Sequence, residues 1–128
     1  MSPFDPFAQA AASQLSAPDA MTKAAVGEIT LIDIRTPMEW ARSGVPKGAV
    51  TLSIQQQDFP QALEALVEGD KSRQLALICA TGSRSAMLQR YLLSQGYENV
   101  VDVSEGMMGN HMAPGWLRRG LPVEPYQL

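Results

Sequence analysis

The sequence predicts an α/β domain with a central, mostly parallel sheet of four or five strands and with helices on both faces. Short apolar runs alternate along the chain with amphipathic segments of helical length, which requires crossover connections between neighbouring strands. The runs are apolar enough to be covered on both sides, as the strands of a parallel sheet are. Glycines close the helical segments at Gly27, Gly69 and Gly96.

The first half of the chain predicts two helices and two strands. Ser16, with a proline and an aspartate in the turn after it, is typical of a helix start. Residues 29–34 (ITLIDI) predict a buried strand. Thr36 and Glu39 form a capping box with a proline between them, so a short helix begins there. Residues 48–52 (GAVTL) predict the second strand.

The second half predicts two more helix and strand pairs. Asp58 and Gln61 are expected to cap a helix, residues 75–79 (LALIC) form the third strand, residues 84–95 the next helix and residues 99–103 (NVVDV) the fourth strand. Apolar residues at helical spacing define the expected inner faces of the two helices: Phe59, Leu63, Leu66 and Val67 in the first, and Met87, Leu88, Tyr91 and Leu92 in the second.

Length and charge limit the classes of function. The 128 residues suffice for one domain with its own core, and we expect an N-terminal arm over residues 1–14 and a single domain over residues 15–128. The net charge of -3 gives no overall attraction for nucleic acid or an anionic membrane. The N-terminus lacks the pattern of a signal peptide and no segment reaches membrane-spanning length, so we expect a cytoplasmic protein.

The only cysteine of the chain carries the functional prediction. Ligands of parallel sheets bind beyond the carboxyl ends of the strands, where Cys79 and Asp33 fall. Small residues follow Cys79, and a helix begins near Arg84, so loop amides and the positive end of the helix form an anion cradle around the sulfur. Thiols in such surroundings ionise more readily than a free thiol. The predicted cradle consists of the backbone at Ala80, Thr81, Gly82 and Ser83 together with Arg84.

Five segments resemble a known family. The pattern C-x-x-G-x-R-S from Cys79 to Ser85, preceded by the strand LALI, resembles the active-site loop of single-domain rhodaneses, the sulfurtransferase family. Upstream, LIDIRTPMEW resembles the family's D-x-R-x-x-x-E segment, and SGVPKGA resembles its glycine-rich segment. Downstream, GYENVVDVSEGM and GWLRRGLPVEP resemble the closing strand and the terminal element. The resemblance covers about residues 15 to 125.

This resemblance implies a rhodanese-like fold and a persulfide mechanism. Cys79 would take the outer sulfur of thiosulfate or another persulfide donor and pass it to cyanide, a thiol or a protein acceptor. The loop amides would stabilise the charged terminal sulfur, and Arg84 would hold the anionic oxygens of the donor. The implied enzyme is a thiosulfate sulfurtransferase that needs no metal and no organic cofactor.

Two alternatives and two departures accompany this reading. A non-catalytic rhodanese-like module that binds a partner protein is the alternative from another class. Related phosphatases use a loop one residue longer, C-x-x-x-x-x-R, whereas Cys79 to Arg84 has the sulfurtransferase length. Val45 stands where many family members carry histidine. With no second cysteine, a persulfide cannot be resolved within the chain.

The remaining candidates have less specific signals. Asp33 either lines the pocket mouth or caps a turn, and Ser85 either donates to the thiolate or is satisfied within its helix. Arg35 and Glu39 are expected to form a structural ion pair or a cap. Four side chains in GMMGNHMAPGW include soft metal ligands, but we interpret them as pocket wall and expect no metal site: Met107, Met108, His111 and Met112.

Overall fold

The computed structural model describes residues 13–128, so all but the last two residues of the predicted N-terminal arm lie outside the described part. The strands are β1 (Gln14–Leu15), β2 (Thr30–Asp33), β3 (Val45–Pro46), β4 (Val50–Thr51), β5 (Gln74–Ile78), β6 (Asn99–Val103) and β7 (Val123–Glu124). The helices are α1 (Ala17–Ala25), α2 (Pro37–Ser43), α3 (Phe59–Leu66), α4 (Ser83–Ser94) and α5 (Gly115–Arg118).

A five-stranded parallel sheet runs through the domain in the order β1-β6-β5-β2-β4. The register aligns Asp33 with Ile78 and Leu77 with Asp102, so the carboxyl ends of β2, β5 and β6 lie side by side. This confirms the predicted sheet and places Asp33 and Asp102 at the same end of it, on either side of Cys79, which follows β5.

The sheet separates two apolar cores, because successive residues of a strand point to opposite faces. Ile32 and Leu77 pack with α3 and α4 on one face. Leu31 and Ala76 pack with α1 and α5 on the other. Helices on both faces therefore cover the strands, as the sequence predicts.

The ribbon formed by β3 and β7 is absent from the sequence-based expectation. Val45 pairs with Glu124 and Pro46 with Val123, in antiparallel orientation. Both strands have only two residues, and the pairing joins segments almost 80 residues apart in the chain. Neither a regular spacing of apolar residues nor a turn motif in the sequence predicts such a contact. The pairing holds the C-terminal segment beside α2.

The helix starts agree with the sequence at two of three predicted caps. The Ser16 hydroxyl accepts from the amide of Asp19 at 3.2 Å, and Thr36 and Glu39 form the reciprocal capping box. Asp58 occupies the position before α3, but its side chain makes no bond to that helix. Its carboxylate instead accepts from the side-chain amide of Gln56 at 2.9 Å, so the expectation of a side-chain cap there is wrong.

The inner face of α4 differs from the predicted one. Leu88 and Leu92 are buried, but Met87 and Tyr91 are 65% and 54% exposed. Their places on the inner face are taken by Ser85 and Gln89, which are both buried. The apolar pattern misleads here because the side of α4 that meets β6 carries polar side chains. The side-chain amide of Gln89, for example, donates to the carbonyls of Val100 and Ser13 at 2.9 Å each.

Glu105, in the turn after β6, joins both helices of the second core. One carboxylate oxygen accepts from the amide of Ala17 at 2.8 Å, and the other accepts from the amide of Gly115 at 2.8 Å and from Nε of Arg119 at 2.6 Å. Burial alone would raise the pKa of Glu105, but these donors hold the pKa below its usual value. One buried carboxylate thus anchors the starts of α1 and α5.

We expect Glu105→Gln to lower the free energy of unfolding by about 2 to 3 kcal/mol, because hydrogen bonds to a charged group contribute about 1.5 to 3 kcal/mol and a neutral amide cannot accept at both positions. Urea denaturation at neutral pH measures the change. The control is Glu98→Gln, whose exposed carboxylate makes no hydrogen bond to the described residues. Equal stability of the two variants would contradict this role of Glu105.

Candidate active site

Cys79 lies directly after β5, at the end of the sheet where the carboxyl ends of β2, β5 and β6 meet, and it is fully buried. Its Sγ accepts from the backbone amide of Gly82 at 3.2 Å and from that of Ser85 at 3.4 Å, while the Ser85 hydroxyl lies 3.3 Å away. The loop therefore curls around the sulfur and points backbone donors at it. The helix that follows adds the positive end of its dipole.

The other residues of the predicted cradle make contacts of their own. The carbonyl of Ala80 accepts from the amide of Met108 at 2.8 Å, and that of Thr81 accepts from the side-chain amide of Asn110 at 2.9 Å. Ser83 and Arg84 occupy the first turn of α4, where an amide has no preceding helical carbonyl to bond. Their backbone amides therefore have no acceptor within the helix.

Two glycines allow the loop after β5 to approach the loop after β6. Gly82 has φ +98°, and a Cβ there would stand 2.1 Å from the carbonyl oxygen of Ser104. Gly106 has φ +67°, and its Cβ would stand 2.4 Å from the carbonyl oxygen of Ala80. Gly82 is part of the predicted cradle, whereas sequence reasoning missed Gly106. Its signal is a glycine three residues after β6, one of the strands that end beside Cys79.

Arg84 is bound differently from the expectation. Its two terminal nitrogens donate to the two carboxylate oxygens of Glu39 at 2.9 Å each. The bond from Arg84 lowers the pKa of Glu39 to about 2, although burial opposes the shift. The bond with Glu39 in turn raises the pKa of Arg84. The pairing fastens the start of α4 to the start of α2.

Of the two structural roles expected of Arg35 and Glu39, the cap is present, because Glu39 caps α2, and the two side chains do not pair with each other. Arg35 instead bonds Asp33, with Nη2 2.8 Å and Nε 3.0 Å from the carboxylate oxygens, and it also donates to the carbonyl of Gly44. Asp33 and Arg35 are both buried. The Asp33 carboxylate is therefore committed to Arg35, and no hydrogen bond links it to Cys79 among residues 13–128.

Asp102, on β6, was missed by the sequence reasoning. The Ser85 hydroxyl donates to its Oδ1 at 2.5 Å, and Asp102 is only 2% exposed. Burial raises the pKa of Asp102, although the bond from Ser85 acts in the opposite direction. The available signal was a carboxylate inside an otherwise apolar strand segment, NVVDV. Ser85 thus stands between Cys79 and a buried acid.

The methionine and histidine segment lies beside the loop that follows Cys79. Met107 is buried in the second core, whereas Met108, His111 and Met112 are exposed. Residues 13–128 contain no group of three or more His, Cys, Asp or Glu side chains that could hold a metal ion. Val45 is buried in β3. No helix within the same range is long and apolar enough to cross a membrane.

Comparison with known proteins gives one family match. The model of the Rhodanese-like domain matches residues 14–112. The chain is 30% identical over 96 residues to a protein named sulfurtransferase from Allochromatium vinosum, which covers 75% of this chain and 78% of that protein. It is 36% identical over 81 residues to the putative sulfurtransferase YtwF of Bacillus subtilis, covering 63% and 72%.

A solved structure shares the fold. The polysulfide-sulfur transferase homodimer of Wolinella succinogenes superposes with a TM-score of 0.69 at 27% identity, covering 94% of this chain and 87% of that one. Sequence and structure therefore point to the same family.

We expect Gly82→Ala to lower the free energy of unfolding by about 1 to 3 kcal/mol more than Gly48→Ala does. Gly48 has φ +83° and nothing within 4 Å of an added Cβ, so its substitution introduces backbone strain without a collision. Chemical denaturation of both variants separates the two effects. If both lose the same free energy, the close approach to Ser104 is not a constraint.

The Glu39–Arg84 pair predicts a pH dependence of stability. The pKa of about 2 in the folded protein lies below the ordinary value of 4.5, so the contribution of Glu39 to stability is present above pH 4.5 and is lost as the pH falls toward 2. Because both side chains are about a third exposed, we expect about 1 to 2 kcal/mol at neutral pH. Glu39→Gln should lose that amount at pH 7 and show a shallower decline on acidification than Glu98→Gln. Parallel declines would contradict the assignment.

Proposed function

Since the chain belongs to the rhodanese-like domain family, we propose that it is a sulfurtransferase that carries sulfane sulfur on Cys79. The observation that carries the proposal is the position of Sγ, which faces two backbone amides at the start of a helix within a C-x-x-G-x-R loop. Such an arrangement favours a thiolate and a negatively charged group bonded to it.

The proposed first step loads the cysteine. The Cys79 thiolate attacks the outer sulfur of thiosulfate, the sulfur–sulfur bond of the donor breaks, and sulfite leaves with the electron pair. The product is a persulfide whose terminal sulfur bears the negative charge. In the second step an acceptor such as cyanide attacks that terminal sulfur, thiocyanate leaves, and the thiolate is restored. No net oxidation or cofactor is needed in this cycle.

The loop residues have distinct parts in this cycle. The amides of Gly82 and Ser85 hold the inner sulfur, and the first-turn amides of Ser83 and Arg84 would receive the terminal one. Arg84 is already bonded to Glu39 through both terminal nitrogens. We therefore propose that it acts on the anionic donor through its charge, from a fixed position, while its pairing keeps the loop in shape.

The comparisons support the general class and leave the donor as a proposal. Two relatives are named sulfurtransferases, and the similar solved protein is named a polysulfide-sulfur transferase. Thiosulfate and polysulfide both present a sulfane sulfur, which is the atom that the cradle would receive. A thiol or a protein persulfide carrier is the acceptor class that fits the same chemistry.

A non-catalytic module that binds a partner protein is the second candidate. The observation in its favour is the complete burial of Cys79, which leaves no sulfur surface exposed in the described structure. A donor reaches the sulfur only after the loop or its neighbours move. The two candidates therefore differ in whether Cys79 reacts in the folded protein.

Intact-protein mass spectrometry after mixing with thiosulfate separates them. We expect the native chain to gain one sulfur atom, Cys79→Ser to gain none, and cyanide to remove the added sulfur. The thiol content is checked beforehand under denaturing conditions, so that an oxidised cysteine is not mistaken for an unreactive one. A chain with an intact thiol that gains no sulfur from thiosulfate, polysulfide or glutathione persulfide would favour the binding module.

A further inference from the structure

A line of three polar groups leads from the sulfur into the domain. Sγ of Cys79 lies 3.3 Å from Oγ of Ser85, and that Oγ lies 2.5 Å from Oδ1 of Asp102. All three residues are buried, with exposed fractions of 0%, 0% and 2%. The backbone fixes the line from both sides, because Cys79 follows β5, Asp102 lies on the neighbouring β6, and Ser85 lies in the first turn of α4.

The two distances define the direction of the hydrogen bonds. Oγ of Ser85 has a single proton, and the short contact to Asp102 takes it in preference to the carbonyl of Gly82 at 3.2 Å. The oxygen lone pairs of Ser85 are then directed to Sγ, so the thiol of Cys79 donates to the hydroxyl. A thiol, a hydroxyl and a carboxylate in this order form a continuous path for one proton.

The surroundings favour negative charge at the sulfur end of this path. Sγ accepts hydrogen bonds from the backbone amides of Gly82 and Ser85. The Asp102 carboxylate, in contrast, has the Ser85 hydroxyl as its one hydrogen-bonding partner among the described side chains. Burial without further donors makes a charged carboxylate costly. Charges on both groups at once, across a single hydroxyl, would also repel each other.

Apart from the ionisable thiol of Cys79, the described residues that face Asp102 from the sheet and from α4 are uncharged. In the sheet its register partners are Gln14 on β1 and Leu77 on β5. On α4 the buried polar residues are Ser85 and Gln89. No lysine, arginine or histidine of residues 13–128 forms an ion pair with Asp102. Arg84, the cation next to Ser85 in sequence, is bonded to Glu39 and makes no ion pair with Asp102.

We propose that Cys79 and Asp102 share one proton through Ser85, so that Asp102 holds the proton whenever Cys79 is a thiolate or a persulfide. This inference deepens the proposed function, and it rests on Cys79 as the nucleophile. In the transfer the S–H bond breaks and the proton passes to Oγ of Ser85, while the original hydroxyl proton passes to Oδ1 of Asp102. Ser85 then donates to the sulfur and the carboxylic acid donates to Ser85, with no change of oxidation state.

This sharing makes Asp102 a positioning residue that acts through Ser85. It keeps the net charge of the buried line at minus one in both protonation states, because the negative charge moves without a second one being added. It also turns the Ser85 hydroxyl from an acceptor into a donor at the moment when the sulfur becomes anionic. The two ionisations are therefore coupled, and the coupling acts equally in both directions.

The test measures both ends of the line on the sulfur-free protein as the pH is raised. Ultraviolet absorbance reports the Cys79 thiolate, with Cys79→Ser as the blank, and the infrared carbonyl band of a protonated carboxylic acid reports Asp102. Asp102→Asn assigns the band, and carbon-13 labelling of the aspartates assigns it independently if that variant does not fold. Neither readout requires a sulfur donor, so the test does not depend on sulfur transfer.

We expect the acid band of Asp102 to persist at a pH where the thiolate has already formed. In Cys79→Ser the band should disappear at least one pH unit lower, a tenfold change in proton concentration, because no thiolate opposes ionisation. Ser85→Ala should reduce that difference, and Ser85→Thr, which keeps a hydroxyl, should restore it.

The proposal is overturned if the band is absent once the thiolate forms, or if it disappears at the same pH with and without Cys79. A coupled titration in a protein that takes no sulfur from any donor would refute the proposed function and leave the shared proton in place. Normal sulfur loading with an uncoupled titration would support the proposed function and refute the shared proton.

Discussion

The packing of the loop after β5 against the loop after β6 is the constraint on which the site depends. The amides of Met107 and Met108 donate to the carbonyls of Cys79 and Ala80 at 2.9 and 2.8 Å. With those carbonyls held on the far side, the loop turns its amides to the sulfur. Glycine on both sides permits the approach, since backbone atoms occupy the space where a Cβ would stand. The cradle is thus a property of two loops and not of one motif.

Three acids lie near this end of the sheet, and two of them have an arginine as partner while the third does not. Asp33 is bonded to Arg35 inside the protein, and Glu39 is bonded to Arg84 near the surface. Asp102 has a hydroxyl in place of a cation. The first two acids therefore serve the architecture through their ion pairs, while the third is the one that takes part in the proposed proton sharing. The difference in partners separates structural acids from a chemically responsive one.

The sequence predicts the elements because their signals are local. A capping box at Thr36, buried runs for β2 and β5, and the C-x-x-G-x-R loop can each be read within a few residues. What it does not predict depends on contacts between distant segments. The partner of Arg84 lies 45 residues away, the partner of Ser85 lies 17 residues away, and the β3 and β7 ribbon joins the middle of the chain to its end. The inner face of α4 is a further example. Its buried residues are determined by polar contacts with β6 and not by the spacing of apolar residues along the helix.

The double use of the Glu39 carboxylate has an evolutionary consequence. The same carboxylate caps the start of α2 and accepts both hydrogen bonds from Arg84. A substitution of Glu39 or Arg84 therefore disturbs both the start of α2 and the loop that surrounds the sulfur. A descendant that abandoned sulfur chemistry would be free to replace Cys79, yet it would still need the glutamate and the arginine to keep its shape. In this fold we therefore expect the arginine of the loop to persist with the architecture, and the cysteine to persist only where the sulfur chemistry is kept.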